Sequence, residues 1–150
     1  MEPSFVQITP EKVDLLMALM REFYAIEHLP FDESIIKSSL ATLFADDSLG
    51  RVWLIGLDQE TIGYVVLAFG FSLEFHGRDA LIDEFYIREP YRGKGIGKRT
   101  LQFVFDFCAS QNIRAVHLEV DWTNDYARAL YIKTGFRDHE RHLMTRWIEK

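Results

Sequence analysis

A single cysteine, Cys108, leaves the chain unable to form an internal disulfide, and a lone thiol of this kind is expected in a reducing compartment. Long apolar runs are missing too. The longest, Ile62 to Phe71, is broken by glycines and falls well short of the roughly 20 residues that span a bilayer. The opening Met1-Glu2-Pro3-Ser4-Phe5 carries neither the basic nor the apolar stretch of a secretory signal, so a cytoplasmic protein with no membrane partner is expected. Positive charge is the scarcer sign: 17 Lys and Arg against 23 Asp and Glu give a net charge of −6. That balance argues against a sequence-independent nucleic-acid binder, which needs a basic face. His28, His76, His117, His139 and His142 show no ligand spacing with Cys or carboxylates, and no metal is expected.

What is present fits one folded domain spanning 1–150. The chain is 48% hydrophobic and 27% charged, and a domain of this size buries roughly 68–70% of its unfolded surface without a staple. No repeat or linker-like tract divides it. Ser4 to Thr9 reads as a strand. Thr9 then offers an N-cap with Pro10 behind it, opening a helix through Val13, Leu16, Met17, Met20 and Tyr24 to about His28, before Pro30. Asp32 can cap a second helix carrying Ile35, Ile36, Leu40, Leu43 and Phe44 on one face. Strands Arg51 to Leu57 and Thr61 to Phe71 form a hairpin about Asp58-Gln59-Glu60. A third run, Ala80 to Arg88, leads into glycines. A helix with Leu101, Val104, Phe105 and Cys108 inward follows, then a strand from Ile113 to Trp122. Asn124 caps a short helix ending at Gly135, and strands of about Phe136 to His139 and Arg141 to Ile148 finish the sequence. The order β-α-α-β-β-β-α-β-α-β-β predicts an α/β mixed sheet with helices on both faces.

The sharpest signal lies between the Ala80 strand and its following helix. Gly93, Gly95 and Gly97 allow a tight turn and close approach of a ligand, and the helix start presents free N–H groups and partial positive charge. Arg88, Arg92, Lys94, Lys98 and Arg99 fall within the same twelve residues, a local anion site in an acidic protein. A Walker A loop needs four residues between its glycines and a Lys-Ser/Thr pair; here Gly93 and Gly97 have three between them and Arg99 separates Lys98 from Thr100. The dinucleotide fingerprint also fails, because its third glycine comes one residue later and near the start of a βαβ unit. The run Arg92-Gly93-Lys94-Gly95-Ile96-Gly97 does match Arg/Gln-x-x-Gly-x-Gly/Ala.

That pattern is the pyrophosphate-binding motif of GNAT acetyltransferases, and the stretch from Phe85 to Gly97 closely resembles the family's strand four and helix three. The resemblance continues through Leu118-Glu119-Val120, Asn124, Ala127, Leu130-Tyr131 and Gly135-Phe136. It implies the acyl-CoA N-acyltransferase fold and acetyl-CoA as co-substrate. By the same resemblance the backbone of Phe85, Tyr86 and Ile87 would bond the pantetheine arm in a slot where the sheet splays. The loop Arg92, Gly93, Lys94, Gly95, Ile96, Gly97 and Lys98 would hold the pyrophosphate.

Asn124, Ala127 and Tyr131 share one helical face. Asn124 reads equally as an N-cap and as a cofactor contact, and Ala127 is small enough to let the arm approach. Tyr131 is either semi-buried core or, as the resemblance implies, the donor that protonates the departing thiolate. Attack on a thioester needs a neutral amine, so a carboxylate must take the proton. Glu84, Glu119 and Asp83 compete, in that order. Asp83 and Glu84 are expected on opposite faces of their strand, and one or two of the three are expected in salt bridges with Arg or Lys. Diamine acetyltransferases carry an acidic pair here in the order Glu-Asp, whereas ribosomal-protein N-terminal acetyltransferases place their base at the position of Glu119. Tyr24, Glu27 and His28, with Glu22, resemble in position the family's acceptor-binding region. Cys108 reads as packing.

The expected activity is direct transfer of an acetyl group to a small polyamine-like or amino-acid amine, in preference to a protein N-terminus. The alternative is a GNAT module that senses acyl-CoA or docks a partner without turnover. A homodimer is compatible with the resemblance.

Overall fold

The computed structural model describes residues 2–149. Its core follows from strands whose successive residues are apolar on both sides. In β2 (Gly50–Leu57) Val52, Trp53, Leu54 and Ile55 are all buried, which a period of two allows only when both faces are covered. The sheet has the order β1-β2-β3-β4-β5, and the successive pairs of β1 (Ser4–Gln7), β2, β3 (Glu60–Ser72) and β4 (Gly77–Ile87) are antiparallel. The last strand, β5 (Ala115–Leu118), lies parallel to β4, the pairing that needs a crossover. Helix α3 (Ile96–Ser110) provides it.

Helices α1 (Val13–Ile26) and α2 (Glu33–Ala45) pack Leu16, Met17, Leu19, Met20 and Leu40 against Val52, Leu54, Tyr64, Val66 and Tyr86. On the opposite face, Ile96 meets Ile55, Leu57 and Ile62. Trp53 stands edge-on to Phe103 and Phe107 of α3, at 5.1 and 4.8 Å between ring centroids. Cys108 is buried there and its thiol is pushed up to about 11 by that burial, so it packs and stays protonated.

Local chemistry sets the boundaries. Pro10–Lys12 form a single 3-10 turn, with α1 beginning at Val13, and the Thr9 hydroxyl makes no capping bond. Asp32 does cap α2, its carboxylate accepting from Ile35 N at 3.2 Å. Helix α1 stops at Ile26, and His28 takes a φ of 56°. The β2–β3 turn tightens to Asp58 and Gln59, both at positive φ (50° and 67°), which suits the twist of a two-residue hairpin.

Two compact units make up the chain, one ending at Glu119 and one beginning at Val120. The second contains α4 (Asp125–Lys133), capped by Asn124, whose side-chain oxygen accepts from Ala127 N at 3.1 Å. An ion pair joins Arg128 to Asp138. The first nine elements appear in the expected order, but the two final strands do not: residues 136–149 form no helix or strand. Leu143 with Met144, and Trp147 with Ile148, are adjacent apolar pairs that give no single apolar face, and all four are exposed. A two-stranded hairpin of that kind is marginal in water. Among the described residues no helix is long and apolar enough to cross a membrane.

Candidate active site

The polar centre of the first unit is a carboxylate in a strand. In β4, Ile82 pairs with Leu67 and Glu84 with Val66, so Asp83 is the extra residue of a bulge. The bulge corrects the simple alternation: Asp83 is exposed, while Glu84 is carried onto the face packed by α1. There the Tyr24 hydroxyl of α1 donates to Glu84 Oε2 at 2.5 Å, and the Tyr64 hydroxyl of β3 donates to Oε1 at 2.7 Å. Desolvation raises the Glu84 carboxyl above its usual range, the two phenols draw it down, and the Asp83 charge adds a smaller upward push. Desolvation also raises Asp83. Tyr24 and Tyr64 are both raised, chiefly by burial and then by the neighbouring Glu84. They are therefore neutral donors at any working pH.

A second polar cluster starts two residues earlier on α1. Glu22 accepts from Tyr86 Oη at 2.9 Å and from Arg88 at 3.1 and 2.8 Å. The Arg88 bond holds the Glu22 carboxyl below its ordinary range. Among the described residues no Lys or Arg bridges Asp83, Glu84 or Glu119, against the expectation that one or two would be so paired. Burial and phenols take that role at Glu84. Glu119 follows the end of β5 and is exposed.

Just beyond Glu84 the sheet opens on one side. β5 pairs with β4 only from Asp79 to Ile82, so Phe85, Tyr86 and Ile87 run on past its end. A 3-10 turn at Glu89–Tyr91 leads from there to Gly93 and Gly95, at φ of 75° and 82°. Both glycines take the left-handed conformation that side chains disfavour, and a Cβ on either would meet nothing within 4 Å; conformation alone demands glycine here. Gly95 caps α3 without a side chain. The first-turn N–H groups of Ile96, Gly97 and Lys98 have no carbonyl one turn back within the helix, a geometry suited to a pyrophosphate. Arg92 sits at the start of the loop. Its Nε donates to Ile87 O at 2.7 Å and its guanidinium lies over Tyr86, so it braces the end of β4. Lys94 sits over the Tyr91 ring.

In the second unit, Tyr131 lies on α4 with its ring edge-on to Phe136 at 5.8 Å. Asn124 is the N-cap of that helix and Ala127 is half-buried. Glu27 and His28 are exposed past the end of α1. Of the acceptor candidates, Tyr24 is the one in hydrogen-bond contact with a candidate base.

The model of the acetyltransferase (GNAT) family matches residues 14–136. The chain belongs to the GNAT family. Its match to a Bacillus subtilis protein described as an uncharacterized N-acetyltransferase, YycN, is 41% identical over 61 residues, 41% of this chain and 39% of the relative. A thialysine N-epsilon-acetyltransferase of Bos taurus is 31% identical over 78 residues, 51% of this chain and 45% of the relative. The chain thus spans less than half the length of the curated relatives it matches. An integron cassette protein from a salt-marsh metagenome has a solved structure at TM-score 0.85 and 30% identity, covering 97% of this chain and 91% of that one. GNAT enzymes use acetyl-CoA as co-substrate, and the glycine loop fits one: left-handed glycines before a free helix start. Among the described residues no group of three His, Cys, Asp or Glu could hold a metal ion.

Tyr64 escaped the sequence reading of this GNAT chain. A phenol in the aliphatic run Ile62-Gly63-Tyr64-Val65-Val66 is a signal, because a buried hydroxyl needs a partner. The partner, though, lies 20 residues away in another strand.

Proposed function

We propose that this GNAT protein transfers the acetyl group of acetyl-CoA to a primary amine by direct attack, with Glu84 as general base and Tyr131 as proton donor to the leaving thiolate. The observation that carries the reading is Glu84 itself. It is a half-buried carboxylate, raised above its usual range by desolvation, at the bulge where β4 parts from β5. Such a group can accept a proton from an ammonium and release it again. Acetyl-CoA supplies the thioester. Glu84 takes one proton from the ammonium, directly or through a water. The freed lone pair forms the N–C bond as the C–S bond breaks, the thiolate takes the Tyr131 proton, and the second amine proton leaves to solvent or restores Tyr131. Glu119 and Asp83 stand behind Glu84 as bases. Both side chains are exposed, and neither has the pair of phenol donors that holds Glu84. The roles of Tyr131, Asn124 and Ala127 rest on the family resemblance.

A small polyamine-like or amino-acid amine is the proposed acceptor, in a cytoplasmic setting that keeps Cys108 reduced. The adjacent Asp83 and Glu84 favour a cationic ligand. Tyr24, edge-on to Phe31 at 5.4 Å, adds an aromatic ring of the kind that cations prefer, while the Phe31 face is covered by Arg21. The bovine relative named for acetylating an ε-amine agrees with that class. Release of CoA thiol from acetyl-CoA, measured across polyamines, amino acids, aminoglycosides and short peptides, tests the reading. Release selective for one acceptor class is expected, with Glu84→Gln and Tyr131→Phe each about 100-fold slower or more. Acetyl-CoA binding with no turnover on any acceptor would favour the non-catalytic sensor instead.

A further inference from the structure

Glu84 is held by two phenols from two different elements, one on each oxygen. Tyr64, on β3, is fully buried; Tyr24, on α1, is half-buried. Neither donor is needed to support its own element, since β3 is held by its ladder and α1 by its apolar face. We infer that Tyr24 and Tyr64 are paired positioning residues that orient the Glu84 carboxylate and set how readily it accepts the substrate's proton. The inference rests on Glu84 being the base.

An ionised carboxylate offers about four lone-pair sites. Two donors, one per oxygen, fix the plane of the group and leave acceptor capacity on both oxygens for an ammonium or a bridging water. Hydrogen bonds to the charged form favour that form, whereas burial opposes it. Without the phenols, burial alone would favour the protonated form, which has no room for another proton. When Glu84 takes a proton, one oxygen becomes a hydroxyl and both phenols face weaker acceptors. The same two bonds therefore keep the base ready and ease its return to the ionised state.

The other groups facing Glu84 are few. Asp83 on its own strand pushes toward protonation. Tyr86, also on β4, is tilted against the Tyr64 ring at 6.2 Å, but its hydroxyl is given to Glu22, which Arg88 neutralises. From α1 the facing polar group is Tyr24, flanked by Phe23, and Phe31 covers the Tyr24 ring. Among the described residues no Lys or Arg forms an ion pair with the carboxylate to do the phenols' work.

The test is a carboxyl carbon-13 NMR titration of Glu-labelled protein, with the Glu84 signal assigned by its loss in Glu84→Gln. Tyr24→Phe and Tyr64→Phe are each expected to move the Glu84 midpoint up by about one pH unit, a tenfold change in proton affinity. Tyr86→Phe, whose phenol serves Glu22, is expected to leave that midpoint in place. The acidic limb of kcat/KM, with acetyl-CoA and the fastest acceptor of the panel, should move with the midpoint in both phenol variants. An unchanged midpoint in the folded variants overturns the inference. Tyr24→Phe, on the half-buried helix face, keeps it open to refutation if Tyr64→Phe does not fold. Shifted midpoints with an unshifted acidic limb, or a Glu84→Gln enzyme that keeps its rate, locate the failure in the reading of Glu84 as base.

Discussion

A carboxylate placed among aromatic rings works against the fold that holds it. Folding raises the Glu84 carboxyl through desolvation, so the native state favours its protonated form. The sign follows from linkage: the contribution is fully present below the ordinary carboxylate range and is lost as pH rises through the raised value. Glu84→Gln is therefore expected to melt higher than the parent at neutral and alkaline pH, with the gap closing in acid, as thermal unfolding across pH would show. A variant that melts lower at every pH would mean that the phenols need the charge more than burial penalises it. Glu22 runs the other way. Its Arg88 bond lowers it, so its contribution is present above the ordinary range and fades as pH falls through the lowered value. At Gly95, a left-handed φ of 82° puts the cost of Gly95→Ala at about 1–2 kcal/mol. That strain sits in the loop, so weaker acetyl-CoA binding by calorimetry is expected together with a melting temperature lower by about 2–8 °C.

Between elements, the placing of the site depends on how closely β3 and β4 approach. A Cβ on Gly63 would lie 2.1 Å from the backbone oxygen of Tyr86, a contact only a backbone shift can relieve. Gly63→Ala is expected to destabilise the protein by about 3 kcal/mol or more, on the scale of a severe core lesion, and to displace Tyr86 and Ile87 at the opening of the sheet. Denaturant unfolding would check the first effect and acetyl-CoA affinity the second. The same level of description explains what was readable in advance. Periodicity found α1, α2 and α3 because each buries one face, while capping and turn chemistry marked α4 and the β2–β3 hairpin. The glycine loop was legible because its φ angles require glycine. The bulge at Asp83 was not, since it is a mismatch between two strands and has no mark in either alone. The Tyr24–Glu84–Tyr64 cluster was half legible: the acid stood out, but its partners lie 60 and 20 residues away. Residues 136–149 form no strand, so β-forming composition alone did not decide that segment.

For the molecule as a whole, protection is expected to be uneven across the sheet. β3 is paired along most of its length on both sides, while β5 is held to β4 only from Ala115 to Leu118. Native-state amide exchange should find the slowest protons in β3 and much faster ones in β5. A uniform pattern would show that the sheet opens as a single block. The sheet order β1-β2-β3-β4-β5 carries a further consequence for how the chain acquires this form. Two of its joins, β2 to β3 and β3 to β4, link segments separated by a few residues, and such closures take microseconds. The parallel join of β4 to β5 must wait for the whole of α3 to be spanned, and its entropy of closure comes before its reward. The cofactor slot therefore belongs to the late-forming side of the sheet. During synthesis and refolding, the Tyr64–Glu84 contact, 20 residues apart, is therefore expected before the β4–β5 join, and the Tyr24–Glu84 contact, 60 residues apart, is not.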